Sequence, residues 1–164
     1  MELSHDGGVQ LGVVRVVAYT SPTSVTAEVI DTIGTAGATE LWEEGEWSDT
    51  DEWPSCLAFS NGRLWMARRR EVWASASDDY FNMDLGTNAD QALKLTLRSK
   101  SAEGVRWMRH LDYLCIGTRN EEYVIRPTNA AEPIGPGTCE PALQGEEGGA
   151  DIEPVVGGDS IAFI

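Results

Sequence analysis

At 164 residues and 17.9 kDa, with 41% apolar and 24% charged residues, the chain has the size and composition of one globular domain with a substantial core. Its formal charge is −15: residues 1–62 carry eleven acids against Arg15 alone, and residues 127–164 carry seven acids and no base. Such a surface repels phosphate, which disfavours a sequence-reading nucleic-acid binder, and no stretch approaches the roughly 20 apolar residues of a spanning helix.

In chain order, the apolar residues recur with a period of two rather than 3.6. Residues 13–18 (Val-Val-Arg-Val-Val-Ala) and 26–30 (Thr-Ala-Glu-Val-Ile) flank the turn-forming cluster Thr20-Ser21-Pro22-Thr23-Ser24 and predict a β-hairpin within residues 1–34. Residues 34–39 are small and flexible and predict a loop. Residues 41–49 are acidic and aromatic, with Trp42 and Trp47, and Trp53-Pro54 closes the stretch where a strand begins.

From Cys56 the chain repeats itself. Gly62-Arg63-Leu64-Trp65-Met66-Ala67, Asp112-Tyr113-Leu114-Cys115-Ile116-Gly117 and Gly158-Asp159-Ser160-Ile161-Ala162-Phe163 are each preceded by another short strand and a tight turn. In the first two units a third strand follows, over residues 71–75 and 121–125, and Leu93, Leu95 and Leu97 keep a strand period. A repeated antiparallel meander of about 50 residues is the sequence pattern of a β-propeller blade. The expected fold is therefore all-β: a hairpin over 1–34, then an incomplete propeller over 35–164 with two blades and the start of a third. Leu64, Met66, Leu114, Ile116 and Trp107 are the expected core, with Leu64, Leu114 and Ile161 equivalent. Propellers close at about four blades or more, so the exposed edges are expected to be covered by a longer protein or by a partner. The terminal strand, residues 160–164, is expected to pair edge to edge within the chain or between chains.

These residues resemble a family of bacteriophage virion proteins, the tail nozzle or tail tubular protein B of short-tailed phages. The resemblance rests on Trp42 to Ser48, read as W-x-x-G-x-W-S, and on Trp53-Pro54 through Phe59 to Gly62-Arg63-Leu64. It continues over Val72-Trp73 to Asn82-Met83, over Leu97 to Val105-Arg106-Trp107-Met108, and over Leu114 to Tyr123 and Ile125. Family members are several times longer and often carry a longer turn before the Val-Trp pair, so the resemblance implies a fragment, a split gene or a prophage remnant. It implies a structural role in the virion tail: a ring below the head-to-tail adaptor, assembled in the host cytoplasm, through which DNA passes without specific binding. Its implied partners are other copies of the chain, the adaptor, and fibre or needle proteins. The alternative class is a propeller module that binds glycans or a host surface through aromatic loops.

No catalytic set stands out, and neither a cofactor, a metal nor a membrane anchor is expected. His5 and His110 lack metal-ligand spacing with a cysteine, and His110 falls in a turn between strands. Cys115 reads as a small core residue, and Asp78, Asp79, Asn82 and Asp84 as an acidic turn with Asx-type hydrogen bonds rather than a cation loop. Cys56, Cys115 and Cys139 are odd in number and widely spaced, which argues against a disulfide framework. Trp65, Trp73 and Trp107 are expected to pack between blades. Trp42, Trp47 and Trp53, with the hairpin tip Arg68-Arg69-Arg70, form the candidate subunit-docking surface.

Overall fold

A computed structural model of the chain describes residues 2–5, 10–32, 34–35, 37–98 and 104–164, and all of its regular structure is β. It divides into two compact units, Met1–Asp51 and Glu52–Ile164.

The first unit is one antiparallel sheet of β1 (Glu2–His5), β2 (Gln10–Ser21), β3 (Ser24–Val29) and β4 (Leu41–Glu43), in the order β3-β2-β1-β4. The expected hairpin is β2–β3, turning at Pro22-Thr23, where proline presets the turn backbone. The break expected after residue 34 instead lies near residue 51. Leu41–Glu43 pairs with β1, Leu3 opposite Trp42, so it belongs to the hairpin's sheet and not to the repeats.

The second unit contains two four-stranded antiparallel meanders and a terminal hairpin. The first meander runs in order through β5 (Cys56–Ser60), β6 (Arg63–Arg68), β7 (Glu71–Ala74) and β8 (Leu93–Thr96). The second runs through β9 (Val105–His110), β10 (Leu114–Thr118), β11 (Glu122–Pro127) and β12 (Cys139–Gly145), and β13 (Val155–Gly157) pairs with β14 (Ser160–Ala162). The β5–β6 turn places Asn61 (φ 51°) and Gly62 (φ 69°) in the left-handed region that a two-residue hairpin turn demands.

Strand alternation defines one core between the two meanders. Across the first, Ala58, Trp65, Ala74 and Leu93 stand side by side, and next to them Cys56, Ala67, Val72 and Leu95. Across the second, Met108, Ile116 and Tyr123 form one row, and Leu114 and Ile125 the next. These rows bury together, and β5 lies beside β9, so the first strands of the two meanders are neighbours. The Trp65 indole N–H, wholly buried, donates to the Ser60 carbonyl (3.0 Å).

Leu114, Ile116 and Trp107 are buried as expected, but Leu64 and Met66 are only half-buried. The cause is turn length. A two-residue turn sets Arg63 opposite Ser60, whereas three residues separate His110 from its partner Leu114. The first residue after each turn points inward, so Trp65 and Ala67 take the core and Leu64 faces outward like Cys115; one residue of slip exchanges the faces. Cys115 is accordingly half-buried rather than in the core.

The terminal strand pairs within the chain. Val156 is opposite Ile161, the Ala150 N–H donates to the Ile164 carbonyl, and Phe163 lies against Trp107 with ring centroids 5.2 Å apart.

Candidate functional site

The β6–β7 turn is built from Arg68, Arg69, Arg70 and Glu71. Arg69 (φ 54°) closes it in the left-handed region, and its carbonyl accepts from the Val105 N–H (2.7 Å) while the Arg70 carbonyl accepts from the Leu97 N–H (2.8 Å). Leu97 and Val105 are thereby both pinned to the turn by backbone hydrogen bonds.

The three arginines have different surroundings. The Arg68 guanidinium donates to Glu71 (3.1 Å) and lies 5.2 Å from the centre of the Trp73 ring; Lys94 reaches the same carboxylate (3.0 Å) and the same ring (5.0 Å). Burial pushes the Glu71 carboxyl up, but hydrogen bonds from Lys94 and Arg68 outweigh it and hold the group below its ordinary value. Arg69 grips Glu52 with two parallel bonds, Nε to Oε2 at 2.9 Å and a terminal nitrogen to Oε1 at 2.7 Å, which lowers the Glu52 carboxyl. Both side chains are more than half exposed, so this pair orients the arginine more than it stabilises the fold. The Arg70 side chain is exposed.

These groups border a shallow groove of about 360 Å³ lined by Glu52, Trp53, Ser55, Arg68, Arg69 and Arg106, among others. Trp53 stands on its rim, 61% exposed. The structure therefore gathers Trp53, Arg68 and Arg69 from the expected docking set, with Arg70 on the same turn. Trp42, exposed on β4, and Trp47, half-buried, belong to the first unit. Glu52 and Ser55 carry no site signal in the sequence beyond their nearness to Trp53, and Arg106 enters there only as part of the motif Val105-Arg106-Trp107-Met108.

A second cavity, of about 450 Å³, lies where β5 meets β9 and is lined by Leu57, Phe59, Met108, Arg109, His110 and Glu153, among others. At its edge Ser60 Oγ and His110 Nδ1 are 2.8 Å apart, and Ser60 Oγ also bonds Asn61 Oδ1 (2.7 Å). His110 is thus held in a structural hydrogen bond. Asn82 accepts from the Asp84 N–H (3.0 Å), the expected Asx-type turn, and no group of three or more metal-ligating side chains occurs among the described residues. His5 falls on β1.

One residue that sequence reading missed is Arg63. It is buried, and its guanidinium donates to the carbonyls of Ser75 (2.6 Å), Gln91 (2.7 Å) and Ala89 (2.5 Å), clamping the loop before β8 onto β6. Burial lowers its pKa from the ordinary arginine value. Neither the protein-family models nor the curated proteins compared with this chain match it.

Proposed function

We propose that the chain is a non-enzymatic building block of a tailed-phage virion. In this reading it supplies part of a β-propeller in the ring below the head-to-tail adaptor. The observation that supports it most is the use made of the motif residues on which the resemblance rests. They serve turns and packing. Asn61-Gly62 make the β5–β6 turn, Arg63 clamps backbone carbonyls, and the Trp107 indole covers Gly117, where an added Cβ would lie 2.0 Å from the ring. A chain whose distinctive residues shape turns and brace its own meanders is built as a scaffold. Side-by-side first strands in successive meanders are also the arrangement from which propellers are made.

The ring wall faces passing DNA with acidic surface, which does not hold phosphate. Adaptor, fibre or needle proteins and neighbouring subunits dock on the Trp53, Arg68, Arg69 groove and on Trp42, Trp47 and Arg70. Immunogold labelling of purified virions with an antibody against this chain tests the reading: label at the tail is expected, and virions without the protein overturn it. One observation favours a second reading. Trp53 stands exposed beside a groove of charged and hydroxyl groups, a surface suited to stacking on a sugar ring. Retention on a glycan array that is lost in Trp53→Ala, together with absence from virions, would select it.

A further inference from the structure

Asn61 is the only asparagine of the chain followed by glycine; Asn82, Asn88, Asn120 and Asn129 precede Met83, Ala89, Glu121 and Ala130. The backbone nitrogen after an asparagine can attack the side-chain amide carbon and close a five-membered ring, and glycine there puts no side chain in the way. Asn61 and Gly62 are the two residues between the paired Ser60 and Arg63, outside the ladder, and both are exposed. Water therefore reaches the dipeptide freely.

Three side chains stand around it. Ser60 is buried and donates its hydroxyl proton to Asn61 Oδ1 (2.7 Å), the oxygen of the amide under attack. A hydroxyl has one proton, so the 2.8 Å bond between Ser60 Oγ and His110 Nδ1 is donated by the ring, as Nδ1–H. His110 ends β9, so this relay reaches the turn from the second meander. On the other side, the Asp78 N–H donates to the Gly62 carbonyl (2.8 Å). The Asp78 carboxylate lies against Gly62, where an added Cβ would stand 3.1 Å from its Oδ1. The electrophilic amide thus carries a hydrogen-bond relay, and a carboxylate lies beside the residue that supplies the nucleophile.

We infer that the β5–β6 turn is a site of self-deamidation, promoted by Ser60 with His110 as its positioning residue. The Gly62 nitrogen gives up its proton, to water or to the Asp78 carboxylate, and bonds to Asn61 Cγ. Negative charge gathers on Oδ1 in the tetrahedral intermediate, where the Ser60 hydrogen bond strengthens. The Cγ–Nδ2 bond then breaks, and the nitrogen leaves with a proton as ammonia, giving a succinimide. Water opens that ring at either carbonyl and leaves aspartate or isoaspartate. The net change is one amide and one water to one carboxylate and one ammonium, with no oxidant and no cofactor. Isoaspartate adds a carbon to the backbone of the turn whose length sets which side chains of β6 face the core. The inference stands on the geometry of the turn and holds whether or not the chain serves in a virion.

Peptide mapping of the full chain during incubation at neutral pH tests this, with fragmentation that separates aspartate from isoaspartate. Wild type, Ser60→Ala and His110→Ala are each followed folded and in urea, and the other asparagines serve as internal references. In the folded wild type, Asn61 converts ahead of Asn82, Asn88, Asn120 and Asn129, and at least as fast as in urea. Folded Ser60→Ala and His110→Ala each slow that conversion at least about fivefold, as the loss of one ordinary hydrogen bond does. In urea, where the relay is gone, all three chains convert alike. Slower conversion in the folded wild type than in urea overturns the inference. So does a folded variant that converts as fast as wild type, or a variant slowed equally in urea. Should Ser60→Ala fail to give the wild-type circular-dichroism spectrum, His110→Ala, which changes an exposed side chain, is read by the same criteria.

Discussion

The β2–β3 ribbon and the first meander have similar strand chemistry and opposite fates. In the ribbon, Val14 faces Val29, Val16 faces Ala27 and Tyr19 faces Val25, which gives one apolar face; Arg15 with Glu28, Ala18 with Thr26 and Ser21 with Ser24 form a polar one. A register shift between Val16 and Ala18 keeps Tyr19 on the apolar face. Of that face only Val14 is buried. In the first meander the equivalent rows pack against those of the second meander, and Trp65, Ala67, Val72 and Ala74 lose all contact with water. Pairing makes a strand, but stability comes from a second layer, which the two meanders give each other, while among the described residues most of 15–29 in the ribbon are exposed.

The largest effect is expected at the centre of the packed layer. Trp65→Ala removes a wholly buried indole and its hydrogen bond to Ser60, and should cost about 3–5 kcal/mol in chemical denaturation. A cost below about 1 kcal/mol would mean that the two meanders do not share a core. Gly117→Ala comes next. The Trp107 indole occupies the space of the new methyl, so overpacking of about 1–3 kcal/mol is expected, with a change in tryptophan fluorescence.

Glu71→Gln sharpens the comparison at the meander's edge. It removes the carboxylate shared by Arg68 and Lys94, and because the side chain is 34% exposed, solvent screening limits the loss to about 0.5–1 kcal/mol. The folded-state pKa of Glu71 lies below the ordinary 4.5, so its contribution is present above that value and lost as the pH falls below it. The wild-type advantage over the variant should therefore vanish in acid. The smallest effect belongs to the ribbon: Val16→Thr or Tyr19→Ser should shift stability by no more than about 0.5 kcal/mol, since both side chains already face solvent.

Strand positions were legible because period-two patterning and Gly, Asn or Pro turns announce them: the β2–β3 hairpin and β5 through β7 fall where residue types place them. Facing was less legible. β6 is apolar at both parities, so alternation alone does not say whether Leu64 or Trp65 points inward; a difference of one residue in turn length decides it. β12, with Pro141 and little alternation, is a strand because β11 supplies its register, which no local pattern records. At the candidate site the turn Arg68-Arg69-Arg70 was readable. Its carboxylate partners Glu52 and Glu71 became evident only from side-chain geometry, as did the buried clamp of Arg63, since a charged residue in a strand ordinarily signals solvent.

The contrast between layered and unlayered strands is tested most directly by native-state amide hydrogen exchange, resolved by residue. Amides at Trp65, Leu114 and Ile116 should exchange only through global unfolding, while those of residues 15–28 should open locally and exchange at least about 100-fold faster. Equal protection in the two regions, or fast exchange at Trp65 and Ile116, would contradict it.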